Sequence, residues 1–151
     1  MVLTLGASVV VLAPVSPRAA DDIAGLWFTD ARDGHVEIKS CGEAMCGYIA
    51  SILDPGVPPD ARDIYNEDIK LRTRPICGLQ ILGDLKDEGE SWEGWVYDPH
   101  QDRGKTYSVE VRRQDANTLV VHGYLGVKLI GETQTWTRDS KTFRRCARPA
   151  K

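Results

Sequence analysis

Residues 39–48 read KSCGEAMCGY, two cysteines five positions apart around the loop GEAM. The flanking segments, HVEIKSC (35–41) and CGYIASIL (46–53), carry the apolar–polar alternation of half-buried strands. The spacing predicts a hairpin with GEAM as a four-residue loop and Cys41 opposite Cys46. In that register Lys39 faces Tyr48, Ser40 faces Gly47, Ile38 faces Ile49 and Val36 faces Ser51. Val36, Ile38 and Ile49 then share one buried face, and the cysteines lie on the other beside Glu37 and Lys39. A slip of one residue would mix the two faces, so the hydrophobic pattern itself brings the sulfurs together.

Three chemistries compete for such a pair. Structural zinc favours short paired spacings such as Cys-x2-Cys, yet Cys77 and Cys146 stand alone with no histidine near either. A thioredoxin-type pair needs Cys-x-x-Cys at a helix start, which is absent. Two disulfides fit the chain better, provided it leaves the cytosol. The N-terminus supplies that condition. Val2–Ala13 is an uncharged, largely apolar run, too short for a membrane span of about 20 residues. Small residues and proline follow it, as in a secretory signal. We therefore expect a signal peptide over 1–20, a single domain over 21–151, and a periplasmic or secreted location. Of the three possible connectivities, Cys41–Cys46 and Cys77–Cys146 are expected; they stabilise by about 2 and about 4 kcal/mol in the chain-entropy account.

The rest of the chain repeats the pattern set by the hairpin. TYSVEVR (106–112) alternates cleanly, DAN (115–117) ends it, and TLVVHGY (118–124) follows. LIGETQTWTR (129–138) sets three threonines on one face. With GLWFTD, CGLQILGDL and SWEGWVYD there are eight candidate strands and almost no helical period. Short, evenly spaced strands in 151 residues, with 14 glycines and eight prolines, predict an antiparallel barrel or sandwich. The exception is residues 54–75, DPGVPPDARDIYNEDIKLRTRP, a long polar loop in which Asn66 is expected to cap a helical turn.

Composition bounds the partners. A net charge of −3 with no broad basic stripe excludes nucleic acid as the main partner. KTFRRCAR (141–148) is the densest basic run and reads as a solvated tail. No later segment is long and apolar enough to be read as membrane-spanning.

Taken together, several motifs resemble one family. GLW (25–27), CGEAMCG (41–47), the segment carrying Asp63, Asn66, Asp68, Arg72, Arg74, Pro75, Cys77 and Gly78, then WVYDPHQDRGKTYS (95–108), GYLG (123–126) and GETQTWTR (131–138) are similar to the bacterial domain-of-unknown-function family 2147. The likeness runs in order from about Ile23 to Arg138. It implies a small exported protein built as an all-β, antiparallel, eight-stranded lipocalin-like (calycin-type) barrel, and it carries no catalytic residue across. It also implies a structural role for Gly25, Trp27 and Arg138: the indole plugs one barrel end and the guanidinium stacks on it.

Reactive chemistry finds little purchase. His35, His100 and His122 are scattered, no Gly-x-Ser-x-Gly is present, and both disulfides would consume the thiols. Asp63, Asn66 and Asp68 offer oxygens for calcium, but the spacing is wrong for an EF-hand and Arg72 and Arg74 follow closely. We expect no catalytic residue, metal or cofactor. An enzyme using Asp63 or Asp98 is the weakest reading. The aromatic residues carry the binding idea. The expected site for a small apolar or amphipathic ligand comprises Trp95, Tyr97, Tyr107, Tyr124, Gln134 and Trp136, with Arg72 or Arg74 at the polar end. The rival is an envelope interaction module with a filled barrel, whose loops engage a protein.

Overall fold

Every alternating segment becomes a strand in the computed structural model, which describes residues 23–101, 103–140 and 145–146. The strands are β1 Gly25–Phe28, β2 Gly34–Cys41, β3 Ala44–Ile52, β4 Gln80–Asp87, β5 Trp92–Asp98, β6 Lys105–Asp115, β7 Thr118–Tyr124 and β8 Gly131–Arg138. Each pairs antiparallel with its chain neighbour, and β8 returns to β1 to close an eight-stranded barrel. The expected signal peptide, and the basic run apart from Arg145 and Cys146, lie outside the described residues.

The opening hairpin is tighter than its sequence suggests. Cys41 pairs with Ala44, Lys39 with Cys46, Glu37 with Tyr48 and Val36 with Ile49, a shift of two residues from the expected register. The cause is a two-residue turn, Gly42–Glu43, rather than the loop GEAM. Gly42 has φ 72°, the left-handed conformation that the first position of a type II′ hairpin turn requires. A shift of two keeps the parity of side chains. Val36 and Ile38 therefore still face inward, and the disulfide between Cys41 and Cys46 runs diagonally, with the Cα atoms 5.8 Å apart. Cys77 bonds Cys146. Cys77 lies ahead of β4, not within a strand, and the Cys146 N–H donates to the Ala50 carbonyl at 2.9 Å.

Two further expectations shift by a few residues. The helical turn is a single turn of 3-10 helix, Ile69–Leu71, capped by the Asp68 carboxylate rather than by Asn66, because Asp68 accepts from the Lys70 N–H. Leu129 and Ile130 belong to the loop before β8 and not to the strand.

Antiparallel order puts the β2–β3, β4–β5 and β6–β7 hairpins at one end with the chain entry and exit of the barrel. The four remaining connections gather at the other. The first end is solid. Trp27 is fully buried there, its indole N–H donating to the Ile23 carbonyl at 3.0 Å. The Arg138 guanidinium lies 4.1 Å over that ring and donates to the carbonyls of Ala24 (2.8 Å) and Ala116 (2.9 Å). Leu82, Leu85, Val109, Val111 and Leu119, all fully buried, fill the space above. The β1–β8 ladder has only two residue pairs, Trp27–Arg138 and Phe28–Thr137, so the side chain of Arg138 reinforces the shortest seam of the barrel. Replacing it with alanine is expected to cost about 3 kcal/mol, from the lost charged hydrogen bonds and cation–π contact. Arg138→Lys should recover less than half of this, because an ammonium cannot stack and donate to both carbonyls at once. Urea denaturation of both variants measures the effect.

Candidate ligand-binding site

Above the packed floor the inward residues become smaller or polar, and the barrel opens. Val96 on β5, Tyr107 on β6, Val121 and Gly123 on β7, and Gln134 and Trp136 on β8 surround a cavity of about 410 Å³. The space exists because Gly123 presents no side chain; a Cβ there would lie 3.5 Å from Val96, with the cavity beyond. Trp136 is buried in its wall, and its indole N–H donates to the Gln134 side-chain oxygen at 2.8 Å. Arg103, from the β5–β6 turn, pairs with Glu132 at 2.6 Å on the rim, joining that turn to the start of β8. Leu125 and Ile130 complete an apolar lip. The result is an apolar well with hydrogen-bonding groups at its mouth, the usual composition of a small-molecule site.

A second cavity, of about 460 Å³, occupies the opposite half of the open end. Val36, Ile49, Ile76 and Ile81 form its walls, and Val57, Pro58, Ile64 and Tyr65 of the long loop cover it. At its edge His35 is hydrogen-bonded through Nδ1 to Ser51 Oγ (2.6 Å) and through Nε2 to Asp139 Oδ2 (2.9 Å). This buried chain of polar groups ties the segment after β8 to β2 and β3. Its members, at positions 35, 51 and 139, are too distant in sequence to be read as a unit.

Between the cavities stands His100. Its Nδ1 contacts Asp98 Oδ1 at 2.6 Å and its Nε2 lies 3.5 Å from Asp33 Oδ2. Asp33 precedes β2 and Asp98 ends β5, so the imidazole bridges the mouth from one side to the other. The hydrogen bond to Asp33 and then that to Asp98 raise the His100 pKa to about 10. Asp33 is correspondingly held below the usual carboxylate range, chiefly by its bond to His100. Asp98 is also lowered: its burial acts upward and is outweighed by its bonds to His100.

Of the residues expected to touch ligand, Tyr107, Gln134 and Trp136 line the barrel cavity, while Tyr124 borders it from the outward row of Ser108 with its ring stacked on His122. Four others do not. Trp95 is on the outer face, covering Gly83 so closely that a Cβ there would fall 2.2 Å from the indole. Tyr97 also points outward, into the long loop, where its hydroxyl donates to the Asp63 carboxylate. Burial first, and then the hydrogen bond to Asp63, push the Tyr97 phenol up to about 12. Arg74 donates to the same carboxylate at 2.7 Å, and Arg72 donates to the Asn66 carbonyl at 2.7 Å. Both arginines thus hold the loop and line neither cavity. The oxygens of Asp63 and Asn66 serve the same node, since the Asn66 amide donates to Asp63 and to Tyr97. The cation that lines the barrel cavity, among the described residues, is Arg103 instead. Sequence offered one hint of it, a basic residue in the turn just before a predicted inward-facing strand.

Residues 25–138 match a family described as an uncharacterized protein conserved in bacteria (DUF2147). The chain belongs to DUF2147. Among solved structures it is similar to HP1028 from the human pathogen Helicobacter pylori, described as belonging to the lipocalin family. The two share 28% identity over 78% of this chain and 83% of that one, with a TM-score of 0.68. No curated protein matches it. The DUF2147 barrel here is thus lipocalin-like, as the sequence motifs imply.

Two outcomes follow from these contacts. Asp63→Ala strands the Tyr97 hydroxyl and the partly exposed Arg74, and should cost about 3 kcal/mol, with faster proteolysis inside residues 54–75. For His100 the folded pKa is raised above the ordinary 6.5. Its contribution to stability is therefore complete below pH 6.5 and is lost as pH rises through about 10. The stability difference between wild type and His100→Ala should shrink over that window, and the imidazole resonances of His100 should still report the charged ring at pH 8.

Proposed function

We propose that this protein is an exported carrier or sensor that binds one small apolar or amphipathic molecule inside its barrel. The observation that carries the reading is the cavity of about 410 Å³ between Val96, Tyr107, Val121 and Trp136. It is large enough for a compact ligand, and its apolar body would lie against Tyr107 and Trp136. The polar end would meet Gln134 and the Arg103–Glu132 pair at the rim. Binding would proceed by transfer of apolar surface out of water and requires no bond making. Export is supported by the two disulfides, which persist in oxidising compartments; a periplasmic or secreted location follows.

One observation favours a second reading. Leu125, Val127, Leu129 and Ile130 form an exposed apolar run, with Leu129 94% exposed. Such a run suits docking on an envelope protein, which could receive or deliver the ligand.

Gly123 provides the test, since a Cβ there makes only ordinary contacts, 3.5 Å from Val96, and a strand accepts aromatic residues. Titrating dodecanoate into the wild type should shift the backbone amide resonances of Val121, Gly123 and Gln134. In Gly123→Phe, which fills the cavity, dodecanoate should bind at least tenfold more weakly with the fold intact by circular dichroism. Equal affinity of the two proteins would refute barrel binding.

A further inference from the structure

The ring order of the strands gives the His100 bridge its meaning. Asp33 lies between β1 and β2, Asp98 ends β5 and His100 lies between β5 and β6. In a ring of eight, those two connections are four strands apart, at opposite ends of a diameter. The bridge therefore crosses the middle of the mouth. One cavity lies on the β5–β8 side and includes Asp98; the other lies on the β2–β4 side and includes Asp33 and His100. Among the described residues, none lines both. Below the bridge, Leu82 is fully buried where β4 meets β5, between Ile81 of one cavity and Val96 of the other.

The second cavity also differs in make-up. Its roof comes from residues 54–65 and not from a strand. That stretch is held at its far end by Asp63, whose N–H donates to the Arg74 carbonyl, and at its near end by the N–H groups of Leu53 and Asp54 on the Asp33 carbonyl. Its enclosed walls are mainly aliphatic, and the buried polar pair His35 and Ser51 are bonded to each other. The charged groups that line it already have partners: His100 with Asp33 and Asp98, the Arg62 guanidinium with the Thr73 carbonyl, and the Asp54 carboxylate with the Gly56 N–H. A charged ligand would have to break such pairs, whereas an uncharged one need only displace water.

We propose that the chamber under the long loop is a second binding site, for an uncharged apolar or aromatic molecule, occupied independently of the barrel cavity. This site does not depend on the barrel reading above, and the two can fail separately.

The probe is N-phenyl-1-naphthylamine, a neutral aromatic whose fluorescence rises in apolar surroundings, titrated into the full chain. Ala61 lines the roof. Ala61→Phe should weaken the probe at least tenfold. Val57→Arg, which sets a charge in the same exposed roof, should weaken it at least fivefold and guards against misfolding of the first variant. Saturating dodecanoate should leave probe affinity within twofold. Unchanged binding in both variants, displacement of the probe by dodecanoate, or no binding to the wild type would each overturn the proposal. Failure of dodecanoate alone to bind, with the probe still sensitive to Ala61→Phe, would sink only the barrel reading and would support this one.

Discussion

Everything in this barrel depends on how its first and last strands meet. Seven of the eight seams are ladders made between chain neighbours, which hairpin geometry brings together at little entropic cost. The eighth joins residues more than a hundred positions apart through two pairs. A seam so short would leave exposed edges on both strands. Arg138 compensates by working as backbone and side chain together: its main-chain N–H donates to the Asn117 carbonyl, its guanidinium bonds two further carbonyls, and its flat face covers Trp27. Burial holds the Arg138 pKa below the ordinary guanidine value, but the group remains a cation surrounded by carbonyl oxygens.

Closure at one end leaves the other available. With Trp27 and the fully buried leucines and valines concentrating the core near the base, the mouth is not needed for stability to the same degree. Small and polar inward residues such as Gly123 and Gln134 are tolerated there, and space remains. The division of labour follows from antiparallel connectivity. All four connections that are not part of the base come together at the mouth, so residues of loops and strand ends that are far apart in sequence become neighbours. Arg103 and Glu132, 29 positions apart, meet there, as do Asp33 and His100.

This arrangement also explains what could be read from the chain alone. Period-two alternation is a local property, and it located all eight strands and the faces of the first hairpin. Parity is blind to a shift of two, however, and the register at Cys41 and Ala44 depended on whether Gly42 would adopt a left-handed turn. The inward set of β8 was legible because Gln134 and Trp136 share a parity with Arg138. Trp95, Tyr97, Arg72 and Arg74 were misplaced for one reason: aromatic or basic character says nothing about which side of the sheet a side chain takes. Tyr97 is buried because a loop covers it from outside, and the partners that hold Arg74, Asp63 and Tyr97 together come from segments no local pattern connects. The His100 bridge was illegible for the same reason.

The long loop is fastened unevenly, and this has a consequence for how such a protein can diverge. Its second half is bound by the Asp63 node and by the Cys77–Cys146 disulfide, and Gly104 lets it lie directly against the β5–β6 turn, where any Cβ would strike the Tyr65 carbonyl. Residues 55–60 make only local hydrogen bonds and carry none of that responsibility. Drift, insertion or deletion within those six positions could therefore reshape what the molecule recognises while the cylinder beneath keeps its thermodynamic footing, so that inheritance of the scaffold and innovation in its selectivity proceed on separate tracks.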